Sequence, residues 1–403
     1  MLIGSSLGNA TASNYYMIAS TGAAIASEAN ANVCIPSAGT LKSMVVYASV
    51  SPGGATKSWT VTVRNNTDNT LMTVTITNAE TTGTYTGDID IAAGDNPTVY
   101  ITSANSPAAS VISWAITYET DTDGQQWLLG RGTGLNTSGS YIYVPLYTVA
   151  GGSSGQYLVF PMAGTLSNFR AELTVAPGEA TARKFTFAIN GSSKTLAKSA
   201  DADDTAISDD ANNVSINAGD SLQILSTVTG TPATGAFNMG VVFTPTDADT
   251  WLLAFSARKE TVADTTYYLP INNYDLWQTT EASAYCYVPA LKITNMYVYY
   301  PVAPGVGKSY TATLRTGGGD TSPLLAVDVS GATTKANASA EVSIVAASAI
   351  DIEVVPTGTP AATRLNVSLT VDSSPEEEPE EPTSTTSQPI NTGLNSGLNE
   401  GLL

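Results

Sequence analysis

Apolar and polar residues alternate along many short stretches of the chain. Trp59, Val61 and Val63 alternate with Ser and Thr residues, and the same pattern recurs at 185–189 and 310–314. Since successive side chains of a strand point to opposite faces, this pattern predicts half-buried strands. A large aromatic residue begins each apolar set, as expected for the anchor of a core. No long stretch has the 3.6-residue spacing of an amphipathic helix. The chain is therefore predicted to be all-β.

The strand pattern belongs to a module that occurs three times. Each copy has an X-Pro start, an apolar strand, a Pro-Gly turn and an alternating strand, with the turn prolines Pro52, Pro177 and Pro304 at nearly equal spacing. The junctions repeat as TDTDGQQWLLG and TDADTWLLAF, with Trp127 and Trp251 at corresponding places. A half-buried sheet needs a second sheet to cover it. We therefore predict three tandem β-sandwich modules, at 1–120, 121–246 and 247–372, with a jelly-roll topology favoured over an immunoglobulin-like one.

The stretch Gly305-Val306-Gly307-Lys308-Ser309 is similar to the end of a phosphate-binding loop. A complete loop of this kind reads G-x-x-x-x-G-K-[ST] and leads from a strand into a helix. Here Val302 occupies the place of the first glycine, and the residues that follow alternate like a strand. We interpret the stretch as the third copy of the Pro-Gly turn, and we predict no nucleotide or other cofactor.

The end of the chain has a different composition. Residues 373–389 are rich in Glu, Pro, Ser and Thr, which predicts an extended linker. Residues 390–403 form a short apolar segment in which leucines recur every four residues. We interpret this segment as a docking peptide for a partner protein, and a chain end without function is the alternative. Its predicted contact residues are Ile390, Leu394, Leu398, Leu402 and Leu403.

The composition excludes several kinds of chemistry. The chain has no histidine, which removes the commonest general base and metal ligand. A net charge of −19 repels phosphate backbones and argues against nucleic-acid binding. Cys34 and Cys286 lie far apart in apolar text and are predicted to be buried free thiols rather than a disulfide.

Acidic residues are the remaining candidates for chemistry. The segment 201–210 holds five aspartates, but it lacks the spacing of a calcium loop and is interpreted as a solvated loop, not a metal site. No acidic pair stands in an aromatic-rich motif of the kind a glycosidase needs. We therefore predict that the protein is not an enzyme.

The predicted location of the protein follows from its two ends and its hydropathy. The first basic residue is Lys42, so a secretory signal is not indicated. No segment has the roughly 20 apolar residues that a membrane helix needs, so membrane insertion is not expected. A β-rich surface protein made in the host cytoplasm without an export signal is consistent with release by lysis, as part of a virus particle.

The repeated Thr/Ser- and Gly-rich strands over residues 1–372 resemble the jelly-roll β-sandwiches of tailed-phage particles, as in head-decoration proteins, head fibres and tail adhesins. The resemblance implies a non-enzymatic structural protein that forms a homotrimer at the virion surface. The C-terminal peptide would then be its anchor to a capsid or tail protein. A capsid decoration or head-fibre protein is the first hypothesis.

A host- or glycan-binding adhesin is the second hypothesis, because the third module is rich in tyrosine. Aromatic rings at one end of that module could stack on sugars. The candidate residues are Tyr274, Trp277, Tyr297, Tyr299 and Tyr300. A bacterial or archaeal surface-layer protein is a third option, disfavoured by the missing signal.

Overall fold

The alternating stretches form strands, and their apolar residues fill the interior of the molecule. The computed structural model describes residues 1–6, 10, 14–19, 21–22, 24–135, 137, 141–143, 148–150, 157–256, 260–261, 264–271 and 277–372. In this part of the chain the only helical segments are two short 3-10 turns, Glu28–Asn30 and Glu281–Ser283. The prediction of an all-β protein is confirmed.

Module 1 is built from nine strands. They are β1 (Leu2–Ser6), β2 (Asn14–Met17), β3 (Thr21–Gly22), β4 (Gly39–Ala48), β5 (Ser58–Asn65), β6 (Asp68–Thr77), β7 (Thr82–Ile91), β8 (Pro97–Ala104) and β9 (Ile112–Thr120). One sheet has the order β3-β1-β9-β4-β7 and the other β2-β8-β5-β6. Early and late strands thus interleave in two sheets, which is the order of a jelly roll.

Module 2 repeats this arrangement. Its strands are β10 (Gln126–Leu135), β11 (Tyr141–Tyr143), β12 (Thr148–Ala150), β13 (Leu158–Val159), β14 (Gly164–Leu173), β15 (Gly178–Ile189), β16 (Ser192–Ala202), β17 (Ala206–Asp209), β18 (Val214–Ile216), β19 (Ser221–Thr229) and β20 (Gly235–Pro245). The first sheet has the order β12-β10-β20-β14-β17, and β18 also pairs with β14. The second has the order β11-β19-β15-β16, and β13 also pairs with β19.

Module 3 has the same strand order again. Its strands are β21 (Thr250–Ser256), β22 (Tyr267–Leu269), β23 (Cys286–Val288), β24 (Leu291–Tyr299), β25 (Gly305–Thr316), β26 (Gly319–Asp320), β27 (Ala326–Gly331), β28 (Lys335–Ile344), β29 (Ser348–Thr357) and β30 (Asn366–Asp372). The sheets are β21-β30-β24-β28 and β22-β29-β25-β26, with β23 on β29 and β27 on β25. All three modules lie in one compact unit, Met1–Ser373.

The predicted inward residues form the cores of the modules. The three apolar sets are all buried: Trp59, Val61, Val63; Phe185, Phe187, Ile189; and Tyr310, Ala312, Leu314. The polar ends of the anchors are hydrogen-bonded as well. The Trp59 indole donates to the Ala108 carbonyl at 3.3 Å, and the Tyr310 hydroxyl donates to the Ala361 carbonyl at 2.9 Å, in the matching loop of module 3. Trp59 and Tyr310 therefore each join a core to the loop that precedes the last strand. In module 2 the buried Arg183 takes this place and donates to the Ala233 carbonyl at 2.6 Å, so the predicted match of Phe185 to Trp59 is wrong by two residues.

Two further predictions concern the turn at 305–309 and the cysteines. Gly305 begins strand β25, which pairs with β27 and β29, so the chain continues from the turn as a strand and not as a helix. Cys34 and Cys286 are buried thiols that form no disulfide, as predicted. Burial raises the pKa of the Cys34 thiol to about 12, which makes it unreactive while it is covered.

The aspartates of 201–210 do not lie in a loop that is solvated throughout. Asp201 lies in β16 and Asp209 in β17, and Asp209 is buried. The Asp209 carboxylate accepts hydrogen bonds from the backbone N–H of Ala197 at 2.9 Å and from the Asn212 amide at 3.0 Å. Asp209 thus ties the end of β17 to its neighbours. This structural role replaces the predicted solvated loop at that position.

The two WLL segments are not equivalent in the structure. In module 2, Trp127 pairs with Val242 and Leu128 with Val241, whereas in module 3, Trp251 pairs with Val371 and Leu252 with Thr370. The last strands of the two modules, β20 and β30, can be aligned because β20 pairs with β14 and β30 pairs with the equivalent strand β24. In this alignment Trp127 corresponds to Leu252, which is one residue after Trp251. A shift of one residue places a side chain on the opposite face of the sheet. The placement of Trp127 and Trp251 at corresponding positions is therefore wrong.

Candidate functional site

The predicted aromatic residues of module 3 are not gathered on one surface. Tyr300 is fully buried and stacks on Tyr310 with ring centroids 4.9 Å apart, so it has no face available to a sugar, contrary to the prediction. Trp277 packs against the core of module 3 and against the Tyr267 ring. Tyr297 and Tyr299 lie on the outer face of β24. Tyr274 is outside the described residues, as are the C-terminal residues Ile390, Leu394, Leu398, Leu402 and Leu403.

The outer face of β24 is covered by a neighbouring module, and the same is true of the matching face in each of the three modules. In a lone sandwich the polar residues of a last strand face water. In β30, however, Asn366, Ser368 and Thr370 are as buried as the apolar residues between them. These polar faces are buried by contacts between modules.

Between modules 1 and 2, the X-Pro segment of module 1 lies on the first sheet of module 2. The Arg170 guanidinium donates to the Pro36 carbonyl at 3.1 Å. The buried Arg131 donates to the Ala29 carbonyl at 2.7 Å and to the Asn30 side chain at 2.8 Å. Burial lowers the pKa of Arg131 to about 10, because its charge is far from water. Arg131 therefore binds the 3-10 turn Glu28–Asn30 of module 1 to the first sheet of module 2.

Between modules 2 and 3, the X-Pro segment of module 2 lies on the first sheet of module 3. The backbone N–H of Tyr157 donates to the Asn366 side chain at 2.9 Å, and the Asn295 amide donates to the Pro161 carbonyl at 3.4 Å. The Lys335 ammonium donates to the Gly219 carbonyl at 3.3 Å. The contact repeats the one between modules 1 and 2 with different side chains.

Between modules 3 and 1, the X-Pro segment of module 3 lies on the first sheet of module 1. The backbone N–H of Tyr287 donates to the Ser113 hydroxyl at 3.2 Å, and the Ser113 hydroxyl donates to that of Ser5 at 3.1 Å. The Cys286 thiol lies 4.0 Å from the Gly4 carbonyl oxygen. With this third contact the modules close a ring, in the order 1 to 2, 2 to 3 and 3 to 1.

The first strand of each module also enters the core of the module before it. Trp127 and Leu129 of β10 belong to the core of module 1, and Leu252 and Ala254 of β21 belong to the core of module 2. Ile3 of β1 belongs to the core of module 3. Alternate residues of each strand thus serve two cores, which explains why MLIG, WLLG and WLLA are continuously apolar. The ring is a threefold arrangement of jelly rolls within a single chain. A homotrimer of three chains stays a prediction.

A groove remains open where modules 2 and 3 meet. It has a volume of about 340 Å³, and it is lined by Tyr157, Asn190, Gly191, Gly219, Ser221, Tyr299, Thr334 and Lys335. The Tyr157 and Tyr299 rings are perpendicular, with centroids 5.0 Å apart. Burial and the neighbouring Tyr157 hydroxyl raise the pKa of Tyr299 to about 12, so the Tyr299 phenol is neutral at physiological pH. Of the predicted aromatic residues, Tyr299 is the one that lines this groove.

A second unusual cluster lies at one end of β29. Arg315 is hydrogen-bonded to Glu281 at 2.9 Å, to Asp320 at 2.7 Å and to Glu353 at 3.4 Å. In the backbone ladder, Asp351 of β29 lies opposite Arg315 of β25. The Asp351 side chain is fully buried, and neither of its carboxylate oxygens has a hydrogen-bond partner among the described residues. Burial, with the charge of Glu281, raises the pKa of Asp351 to about 8. Its carboxyl group is therefore largely protonated at neutral pH.

Reasoning from the sequence missed Tyr157, Lys335 and the Arg315 cluster. One signal was present: Glu28 and Glu281 each stand eight residues before an X-Pro proline. Each forms a salt bridge with the arginine near the end of an alternating strand, Arg64 or Arg315. Tyr157 and Lys335 come from different modules, and nothing in their local sequence indicates that they meet.

Comparison of the sequence with known proteins does not indicate a function, so the function has to be inferred from the fold and from these contacts. No known family model matches the chain, and no curated protein is detectably related to it in sequence. In the part of the chain that the structure describes, no helix is long and apolar enough to span a membrane. The same residues contain no group of three or more acidic or cysteine side chains placed to hold a metal ion.

Proposed function

We propose that the chain is a non-enzymatic structural protein of a virus particle, of the capsid decoration or head-fibre type, displayed on the particle surface and attached through residues 390–403. The observation that carries this proposal is the closed ring. Each module completes the core of its neighbour, so the chain is a preassembled block whose interior is filled with apolar side chains. Such a block suits a part that must stay folded outside the cell.

The distribution of roles along the chain supports the same proposal. The ring uses residues 1–372 for folding, and the acidic segment 373–389 separates this block from the apolar peptide at 390–403. A tether of this composition stays extended and lets the terminal peptide reach a partner. The net charge of −19 keeps neighbouring blocks soluble and apart at high local concentration.

The test is attachment of purified protein to particles of the encoding virus that lack it. Deletion of residues 390–403 should abolish co-sedimentation with the particles. Deletion of residues 376–386 is the matched control, since it shortens the tether but keeps the peptide and should preserve attachment. Undiminished attachment of the protein without residues 390–403 would show that the anchor lies elsewhere and would overturn the proposal.

A glycan-binding adhesin is the second candidate, and the groove between modules 2 and 3 is the observation that favours it. Tyr299, one of the residues predicted to contact sugars, lines that groove together with Tyr157. An adhesin would retain its glycan affinity without residues 390–403. The attachment assay and a glycan-binding assay therefore separate the two functions.

A further inference from the structure

The groove between modules 2 and 3 is a feature that closing the ring does not require. The two other contacts place different side chains at the matching positions. At the contact of modules 1 and 2, Asn96 and Glu172 take the places of Ser221 and Tyr299, and the Asn96 amide donates to the Glu172 carboxylate at 2.7 Å. That bond spans the space that is open in the groove. The ring can thus be closed with or without a groove at this place.

The third contact is also filled differently. Tyr47 pairs with Ser113 in the last strand of module 1, and Tyr299 pairs with Asn366 at the matching place in the last strand of module 3. Tyr47 therefore occupies the position of Tyr299 at this contact. Its ring lies 6.4 Å from that of Tyr287, which belongs to the X-Pro segment of module 3. Since the backbone scaffold is repeated, the open groove follows from the side chains that modules 2 and 3 supply. Such a difference within a repeat points to a role for this groove beyond holding the modules together.

The size and lining of the groove indicate the class of ligand. Its volume of about 340 Å³ lies near the lower end of small-molecule pockets, which run from about 300 to 1,000 Å³. Tyrosine side chains combine an apolar ring with a polar hydroxyl, and sugars present C–H faces and hydroxyls in the same way. The Ser221 and Thr334 side chains add hydroxyls to the wall. These are the groups that recognise a short saccharide.

Lys335 adds a charge to this lining. It is exposed on β28, and no Asp or Glu is among the lining residues. An ammonium has three N–H donors, and the Gly219 carbonyl accepts one of them. The amide of Asn190 is already engaged, since it donates to Asp220 at 2.7 Å and its oxygen accepts from the Ser221 backbone at 3.0 Å. Lys335 is therefore the group placed to bind a negative ligand.

We infer that this groove binds an acidic saccharide, with the sugar ring against Tyr157 and Tyr299 and its carboxylate on Lys335. The inference goes beyond the proposed structural function and does not depend on it. It assigns the groove to a ligand in which a carboxylate and several hydroxyls lie on one short sugar unit. A chain with net charge −19 would bind such a ligand only where a local cation offsets the general repulsion.

The test uses a galacturonic acid trimer as the acidic probe and a galactose trimer as the neutral one, titrated into the full chain by calorimetry. The acidic trimer should bind with a Kd of about 1 mM or tighter, and at least tenfold more tightly than the neutral trimer. Lys335→Met keeps the aliphatic stem and removes the charge, and it should abolish this preference. Lys308→Met removes a lysine outside the groove and should leave the affinity unchanged.

The aromatic wall is tested in the same titration. Tyr157→Ala should weaken binding of the acidic trimer by about fivefold, since stacking on an aromatic ring contributes on the order of 1 kcal/mol. Tyr299→Phe keeps the ring and should retain most of the affinity for the acidic trimer. This variant can still be titrated if Tyr157→Ala does not fold. Equal affinity for the two trimers, no heat with either at about 10 mM, or an unchanged Lys335→Met variant would each overturn the inference. Loss of particle attachment without residues 390–403 would leave this result untouched, so the two proposals fail independently.

Discussion

Replacing the buried Asp351 with threonine should stabilise the protein, and the gain should grow as the pH rises. Module 1 supplies the template for this change. Arg64 and Arg315 occupy matching positions, and the residue opposite Arg64 in the ladder is Thr98, where Asp351 stands opposite Arg315. The buried Thr98 hydroxyl donates to the Tyr16 carbonyl at 2.8 Å. A threonine at 351 is thus a neutral side chain that this fold already accommodates.

The direction of the pH dependence follows from the raised pKa. The carboxyl group of Asp351 has a pKa of about 8 in the folded protein and an ordinary value of 3.8 in the unfolded chain. Between these values the unfolded chain has lost the proton that the folded protein keeps, so the free energy of unfolding falls as the pH rises from about 4 to about 8. The slope is about 1.4 kcal/mol per pH unit, and the whole loss is at most roughly 6 kcal/mol.

The assay is urea denaturation of the wild-type protein and Asp351→Thr at pH 5, 6, 7 and about 8, followed by tryptophan fluorescence. The stability difference should increase by up to about 1.4 kcal/mol for each pH unit in favour of the variant. Asp328→Asn, an exposed carboxylate on β27, is the matched control and should show no such trend. A difference between Asp351→Thr and wild type that is the same at every pH would refute the reasoning, since it would mean that Asp351 does not titrate between the two values.

The ring makes further predictions about contacts between modules. A Cβ at Gly240 would overlap the Cys34 carbonyl, so Gly240→Ala should open the contact of modules 1 and 2 and speed labelling of Cys34 by a thiol reagent. Gly319→Ala should not change the labelling, because the nearest atom to its added Cβ would be the Thr316 carbonyl oxygen at 3.8 Å, an ordinary contact. Unchanged labelling in both variants would argue against the contact. Trp127→Ala should cost about 3–5 kcal/mol of stability and raise hydrogen exchange in the strands of module 1, although Trp127 belongs to module 2. By the same logic Ile3→Ala should cost about 2–5 kcal/mol and raise exchange in module 3, and exchange confined to module 1 would contradict the ring.

The candidate site was only partly predictable from the sequence. Tyr299 was identified because tyrosines are concentrated in module 3, but the same reasoning included Tyr300, which follows it directly and faces the core. Neighbouring residues of a strand point to opposite faces, and the sequence alone did not establish which of the two faced outwards. Tyr157 and Lys335 were missed because their place in the groove depends on how one module packs against the next.

The repeat itself could be read from the chain because each module has to build the same two sheets. Inward positions must be apolar, turns need glycine or proline, and the first of these demands recurs at the matching buried residues Val61, Phe185 and Ala312. The one-residue offset between Trp127 and Trp251 escaped detection, because both faces of the first strands are buried. Where both faces are apolar, the alternation that normally reveals the register is lost.

The sequence by itself thus determined the all-β class, the repeat of one module and the alternating apolar residues that fill each module's own core, and it favoured the jelly-roll topology. These features depend on local periodicity and on burial within one module. Only the tertiary structure decided that the modules close a ring, that the polar faces of the last strands are covered, and that Tyr157, Tyr299 and Lys335 share a groove. Those outcomes depend on contacts between residues far apart in the chain, and no local pattern specifies the side chain that a distant module will bring against them.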